Sequence, residues 1–194
     1  MMRANRLVIA AIALSLVQIG FLSWMIVGRA AILRNGAEVL LRIQPVDPRD
    51  LLRGDYVVLA YDISQIPASI IANVPEGMTV TEEGPIYVRL AMGSDKHWSA
   101  ISASLGEPSA TPPAAGEVDM KGLIAGGWSF SRDAPVRIEY GIERFYLPEG
   151  EGLAIQNDIR ERPFSMLVAV GKDGAAQIKA LLDGDTVLFE EPLY

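Results

Sequence analysis

The sequence contains no cysteine and a single histidine, His97. The missing cysteines exclude a disulfide framework, a thiol nucleophile and any cysteine-ligated metal. The single histidine excludes a metal site built from several imidazoles of one chain. We therefore expect neither a metal centre nor a bound cofactor.

Acidic residues are absent from residues 1–34, which hold four arginines. Residues 35–194 hold 13 basic and all 24 acidic residues, so this larger part is strongly acidic. Nucleic-acid binding needs a basic surface, and this composition argues against it. About 160 residues is the size of one ordinary domain with a sizeable core.

Charges of either sign are absent from the 22 residues Leu7 to Gly28, LVIAAIALSLVQIGFLSWMIVG. A helix of this length spans a hydrocarbon core of about 30 Å, whereas the apolar part of a cleaved signal is usually about 7–15 residues long. The sequence therefore predicts a short tail at 1–6, an uncleaved transmembrane anchor at 7–28 and a linker at 29–36.

The orientation of the anchor is predicted from its flanking charges. Arg3 and Arg6 favour a cytoplasmic N-terminus, although Arg29 and Arg34 follow the apolar segment. We expect residues 37–194 to lie outside the cytoplasm. Near the middle of the anchor, the amide of Gln18 would allow contact with a second membrane helix, although a passive anchor is the preferred interpretation.

Residues 37–194 show the alternation of apolar and polar residues that is typical of antiparallel strands. The pattern predicts a mainly β (α+β) domain with one or two short helices, at 66–72 and 149–158, and a flexible loop at 106–116. Asp173-Gly174 and Asp183-Gly184 are hairpin turn signals that predict a C-terminal β-meander. The strands are predicted at 38–44, 56–63, 86–92, 98–104, 118–125, 136–142, 166–170, 175–182 and 186–190.

Two polar stretches are candidate interaction surfaces. The rigid corner PVDPRD at 45–50 contributes Asp47, Arg49 and Asp50. Arg53 follows this corner after two leucines. Their spacing does not match a calcium-binding loop, and ion pairing within the corner is the alternative to recognition. The stretch ERFYLPEGEG contributes Glu143 and Glu149.

His97 follows the turn predicted between the strands at 86–92 and 98–104. A general base needs an oriented partner, and local sequence offers no such partner for this histidine. We therefore expect a solvated side chain and no catalytic residue, and we expect the protein not to be an enzyme.

The stretch GDYVVLAY at 54–61 fits the pattern G-D-Y-x-x-L-x-Y without departure. Together with PVDPRDLLR before it, YGIERFYLPEGEG later and the closing DG hairpin, it resembles the bacterial GDYXXLXY protein family along nearly the whole chain. The alternation of side chains along the strand predicted at 56–63 places one face, which includes Leu59 and Tyr61, towards the core. The signature positions are Gly54, Asp55, Tyr56, Leu59 and Tyr61.

The resemblance implies a membrane-anchored bacterial protein with an extracytoplasmic domain, no established activity and no catalytic residues to carry over. Family genes often neighbour those of polytopic membrane proteins. We therefore expect a single-pass inner-membrane protein whose periplasmic domain is a binding or scaffolding module, accessory to a polytopic membrane partner.

Two enzymatic alternatives stay open. A carboxylate-based glycan hydrolase of the envelope would need a pair such as Glu143 and Glu149 about 5–10 Å apart. A degenerate signal-peptidase-like enzyme would need a serine between the anchor and the Gly-Asp strand, whereas residues 29–53 contain no serine, threonine or lysine.

Overall fold

A computed structural model of the chain describes residues 2–44, 56–74, 79–80, 84–125, 128–129, 135–146 and 162–192. Within these ranges one helix, α1 (Met2–Asn35), precedes the strands, and two three-residue 3-10 helices lie at Asp62–Ser64 and Ala68–Ile70. The strands are β1 (Ala37–Gln44), β2 (Tyr56–Val58), β3 (Ala60–Tyr61), β4 (Gln65–Pro67), β5 (Thr79–Val80), β6 (Pro85–Met92), β7 (Trp98–Leu105), β8 (Glu117–Ile124), β9 (Trp128–Ser129), β10 (Pro135–Glu139), β11 (Arg144–Tyr146), β12 (Phe164–Val170), β13 (Ala176–Asp183) and β14 (Thr186–Glu190).

The strands form two five-stranded sheets and two short ribbons. The first sheet has the order β14-β13-β12-β1-β3, and the second has the order β4-β10-β8-β6-β7. The ribbons are β2 with β11 and β5 with β9. Every pairing of these strands is antiparallel. The predicted mainly β fold behind a single apolar helix is confirmed.

The two sheets share one hydrophobic core. In β1 the alternation predicted from the sequence buries Val39, Leu41 and Ile43. Their neighbours across the ladder include Val168, opposite Val39, and Met166, opposite Leu41, and both are fully buried. Burial of a side chain of this kind contributes roughly 1.5–3 kcal/mol, so this shared layer is the main source of stability.

The predicted β-meander is confirmed as β12, β13 and β14. Gly174 (φ +81°) and Gly184 (φ +60°) lie in its two turns, in the left-handed conformation that glycine adopts without steric cost. The other strands predicted at 38–44, 86–92, 98–104, 118–125 and 136–142 are present, with ends within three residues of the predicted ones.

The strand predicted at 56–63 is divided because the chain changes partners. The first part, β2, pairs with β11, and the second part, β3, pairs with β1. Leu59 lies between them outside either ladder, and the 3-10 helix at Asp62–Ser64 replaces the predicted end of the strand.

The helix predicted at 66–72 is wrong over most of its length. Ile66 and Pro67 belong to β4, which pairs with β10, and only the 3-10 helix at Ala68–Ile70 follows. Ser64, which lies just before this segment, accepts a hydrogen bond from the backbone N–H of Tyr61 at 3.0 Å. Pairing with β10 outweighed the local preference of these residues for a helix. The other predicted helix, at 149–158, lies outside the described residues.

The loop at 106–116 connects β7 to β8, both of which pair with β6. The buried side chain of Arg89 on β6 donates to both carboxylate oxygens of Asp119, at 2.7 and 2.8 Å. It also donates to the carbonyl oxygen of Thr111 at 2.6 Å. The middle of this loop, expected to be flexible, is therefore tied to a buried ion pair.

Helix α1 continues through residues 29–35, the predicted linker, and only Gly36 separates it from β1. The N–H of Gly36 donates to the carbonyl of Ile32 at 2.7 Å. A Cβ atom at Gly36 would lie 2.5 Å from that same oxygen and 3.0 Å from the carbonyl oxygen of Val170. The helix thus enters the sheet through a joint that has no room for a side chain.

We expect Gly36→Ala to lower the free energy of unfolding by roughly 1–3 kcal/mol, because two backbone groups must move to admit the methyl group. Urea denaturation of the full chain in detergent micelles, followed by near-ultraviolet circular dichroism, measures the change. Gly84→Ala is the matched control, since a Cβ atom there meets nothing within 4 Å. Equal midpoints for the two variants would contradict the close packing of this joint.

Candidate functional site

The second half of the signature, residues 59–61, lies in the core. Leu59 is 3% exposed and Tyr61 is 2% exposed, whereas Val58 is 41% exposed. The predicted inward direction of Leu59 and Tyr61 is therefore confirmed. The backbone of Tyr56 begins β2, and Gly54 and Asp55 lie outside the described residues.

The segment 140–146, which also carried the family resemblance, lies directly beside the signature. The strand β11 pairs with β2, and the N–H of Leu59 donates to the carbonyl of Glu143 at 2.8 Å. The hydroxyl of Tyr61 donates to the carbonyl oxygen of Ile142 at 2.7 Å. In the opposite direction, the hydroxyl of Tyr140 donates to the carbonyl oxygen of Ile63 at 2.8 Å. Two stretches that are distant in sequence are thus joined by two reciprocal hydrogen bonds, one from each tyrosine hydroxyl.

Glu143 holds the turn between these contacts. Its carboxylate accepts hydrogen bonds from the backbone N–H groups of Tyr140 and Gly141, the latter at 2.9 Å. Gly141 has a φ of +78°, which suits glycine at this turn. The structure therefore gives Glu143, a candidate surface residue, a local capping role. Glu149, its proposed partner in a glycan hydrolase, lies outside the described residues.

Both phenols are neutral hydrogen-bond donors. Burial, and then the negative charge of Glu143, raises the pKa of Tyr61 and of Tyr140 above the ordinary value. At neutral pH neither group can act as a base, and each satisfies a buried carbonyl that would otherwise lack a partner. The last tyrosine of the signature is thus a structural clamp.

The predicted corner surface stays a prediction. Its residues Asp47, Arg49, Asp50 and Arg53 lie outside the described residues. Among the described residues, no group of three or more histidine, cysteine, aspartate or glutamate side chains could hold a metal ion.

His97 differs from its expected state as a solvated side chain. Its side chain is only 24% exposed, and both ring nitrogens have a partner. Its Nδ1 lies 3.2 Å from Oδ2 of Asp95, and its Nε2 lies 2.9 Å from Oγ of Ser165. The expectation of a solvated histidine is therefore wrong. Local sequence could not reveal the contact of Nε2, since Ser165 lies 68 residues away on β12.

The turn that carries Asp95 and His97 is closed by its own hydrogen bonds. The N–H of Gly93 donates to the carbonyl of His97 at 2.8 Å, and the N–H of His97 lies 3.3 Å from Oδ1 of Asp95. Desolvation acts in the opposite direction, but hydrogen bonds from the backbone amides of His97 and Asp95 and from the His97 ring hold the pKa of Asp95 below its ordinary value. Asp95 is therefore ionised at neutral pH.

Arg42 joins this group from β1. Its Nη2 donates to Oδ2 of Asp95 at 2.8 Å, and its Nε lies 3.7 Å from Oδ2 of Asp62. Arg42 is the ladder partner of Ser165, so the two side chains leave the same face of the first sheet. The turn at 93–97 thus covers a cross-strand pair and brings Asp95, His97, Ser165 and Arg42 together.

A cleft of about 600 Å³ lies where α1 meets the domain. Its lining combines the joint residues Asn35 and Gly36 with Tyr87, Asp119 and Lys172. Two prolines of the loop at 106–116 also contribute to its wall. The cleft is separate from the histidine turn, since neither His97 nor Ser165 lines it.

A family model described as GDYXXLXY protein matches residues 18–181. The chain belongs to the GDYXXLXY family. The match includes half of α1, the signature and most of the β-meander, which confirms the resemblance drawn from the sequence. No curated protein and no solved structure matches the chain.

In this GDYXXLXY protein we expect Tyr61→Phe to lower the free energy of unfolding by roughly 1–3 kcal/mol, because the carbonyl of Ile142 would stay buried without a donor. Tyr140→Phe should have a similar cost at the carbonyl of Ile63. Chemical denaturation of each variant measures both effects. The control is Tyr87→Phe, a half-buried tyrosine whose hydroxyl makes no hydrogen bond with the described residues. Equal stability of all three variants would refute the clamp.

Proposed function

We propose that this GDYXXLXY protein is a single-pass membrane protein whose β-rich domain lies outside the cytoplasm. There it serves as a binding or scaffolding module, accessory to a polytopic membrane protein. The observation that carries the proposal is the surface of α1. The candidate span is Val8–Asn35, with a mean hydropathy of 2.1. None of its most apolar 18-residue stretch is buried against the rest of the chain.

The exposure of this helix is too large for a protein surface in water. Val17 is 69% exposed and Trp24 is 74% exposed, and a whole series of large apolar side chains is exposed by half or more. Contiguous apolar surface of this extent marks a membrane or a partner. The length and composition of the helix suit a bilayer, which we take as its main surroundings.

The charge distribution supports the proposed orientation. Arg3 and Arg6 precede the apolar segment, and basic residues near an anchor favour the cytoplasmic side. The domain that follows is acidic and begins directly at the end of the helix. We accordingly place it in the periplasm, with the helix in the inner membrane of a bacterium.

The absence of cysteine makes this orientation directly testable. We expect a membrane-impermeant maleimide to label Glu107→Cys, at an exposed position in the loop at 106–116, in cells whose inner membrane is intact. Asn5→Cys, before the apolar segment, should be labelled only after the inner membrane is opened. The cysteine-free wild-type chain is the control, and the reverse labelling pattern would contradict the proposed topology.

Gln18 supports a partner within the membrane. Its side chain is exposed near the middle of α1, and its amide makes no hydrogen bond with the described residues. An amide in hydrocarbon is stabilised by a partner on another helix, by about 0.6–2 kcal/mol. A polytopic membrane protein would offer such a helix, and docking through it requires no catalytic residue of this chain.

We expect a photo-crosslinking amino acid at position 18 to capture one specific membrane protein in living cells. The matched control is the same amino acid at Leu16, about 200° away around the helix. Capture at position 18 that is much stronger than at position 16 supports docking through this face. Equal capture of bulk membrane proteins, or capture of lipid alone, at both positions would leave α1 a passive anchor and would overturn the proposed docking.

A further inference from the structure

We propose that Ser165, His97 and Asp95 form a nucleophilic serine site that cleaves carboxylic esters. The site is an activity in addition to the docking role and does not depend on it. The order of contacts is carboxylate, imidazole and hydroxyl, which is the arrangement that activates a serine in hydrolases of unrelated folds.

The proton positions follow from the contacts. A carboxylate can only accept hydrogen bonds, so the contact of 3.2 Å with Asp95 places the proton of a neutral imidazole on Nδ1 of His97. The other nitrogen, Nε2, then carries a free lone pair 2.9 Å from Oγ of Ser165. The hydroxyl of Ser165 therefore donates to Nε2, which is the tautomer that a general base requires.

Three separate elements hold this geometry. Ser165 lies within the β12 ladder between β1 and β13, so its backbone is fixed on both sides. Asp95 and His97 lie two residues apart in a turn closed by backbone hydrogen bonds. Asp95 is a positioning residue, and Arg42 holds its carboxylate from the side at 2.8 Å.

Arg42 also supplies the positive charge that such a site needs. It is the ladder partner of Ser165, and side chains in that relation begin about 5 Å apart on one face of a sheet. Its guanidinium is half-exposed and has donors beyond the one that binds Asp95. When a carbonyl carbon is attacked, negative charge develops on its oxygen, and a neighbouring guanidinium stabilises that charge.

The reaction balances without any cofactor. Oγ of Ser165 forms a bond to the acyl carbon of the ester, and its proton passes to Nε2 of His97. The bond from carbon to the alcohol oxygen then breaks, and the alcohol leaves with that proton. Water attacks the acyl-serine, again giving its proton to Nε2, and the carboxylic acid departs as Ser165 regains its hydrogen.

The position of the site indicates which esters can reach it. Ser165 is 6% exposed, the imidazole of His97 lies against its hydroxyl, and the side chain of its ladder partner Arg42 is half-exposed. Arg42 lies seven residues beyond the end of α1, a distance of about 20 Å along an extended strand. The substrate is therefore a small ester that reaches Ser165 from the aqueous phase.

The test uses the full-length protein in detergent micelles and a small alkyl fluorophosphonate, which phosphonylates activated serines. Mass spectrometry of peptides should locate one adduct, on Ser165, and Ser165→Ala should abolish it. His97→Gln and Asp95→Asn should each slow the labelling by about 100-fold or more, as loss of general-base assistance does. Ser104→Ala on β7 is the matched control and should label like the wild type, because the only imidazole of the chain contacts Ser165.

A second readout follows the ester itself. Mixing with p-nitrophenyl acetate should release a burst of up to one p-nitrophenolate per chain, and Ser165→Ala should lack this burst. Thermal denaturation shows which variants are folded; if His97→Gln is not, Asp95→Asn carries the comparison. A folded wild-type chain with no adduct on Ser165 would overturn the proposal and leave the three residues as a structural contact. An adduct that forms equally fast in folded Asp95→Asn and His97→Gln would overturn it as well.

Discussion

The arrangement of the two sheets depends on the reciprocal hydrogen bonds of Tyr61 and Tyr140. Within a few residues the chain leaves the first sheet at β3 and enters the second at β4. Tyr61 binds a carbonyl just beyond β10, and Tyr140, which follows β10, binds a carbonyl in the crossing segment. A buried carbonyl without a donor costs about 1–3 kcal/mol, so these two hydrogen bonds favour the observed position of the crossing.

A second connection between the sheets lies at the turn of β6 and β7. That turn belongs to the second sheet, and its Asp95 and His97 contact Arg42 and Ser165 of the first. The two connections differ in character. The tyrosine pair is deeply buried and neutral, whereas the histidine turn is partly open to solvent and charged. The first is suited to stability, and the second is the proposed site of ester cleavage.

The sequence predicted the parts of this fold that depend on local pattern. Alternation identified β1 and the inward direction of Leu59 and Tyr61, and two Asp-Gly pairs identified the meander. Prediction from the sequence failed where contacts between residues distant in the chain determine the local structure. Ile66 and Pro67 became a strand because β10 lies beside them, and the proximity of Ser165 to His97 has no local signal. The serine within FSMLVAV, a polar residue in a buried strand, was the only hint of that site in the sequence.

The joint at Gly36 connects the apolar helix closely to the first sheet. The apolar part of α1 is about 33 Å long, and a helix longer than the hydrocarbon thickness tilts to fit. A single glycine packed against Val170 separates α1 from β1, so little room is left for the helix and the strand to move separately. Strand β1 bears Arg42, so in a bilayer a change in the tilt of α1 would be transmitted along β1 towards the group around His97.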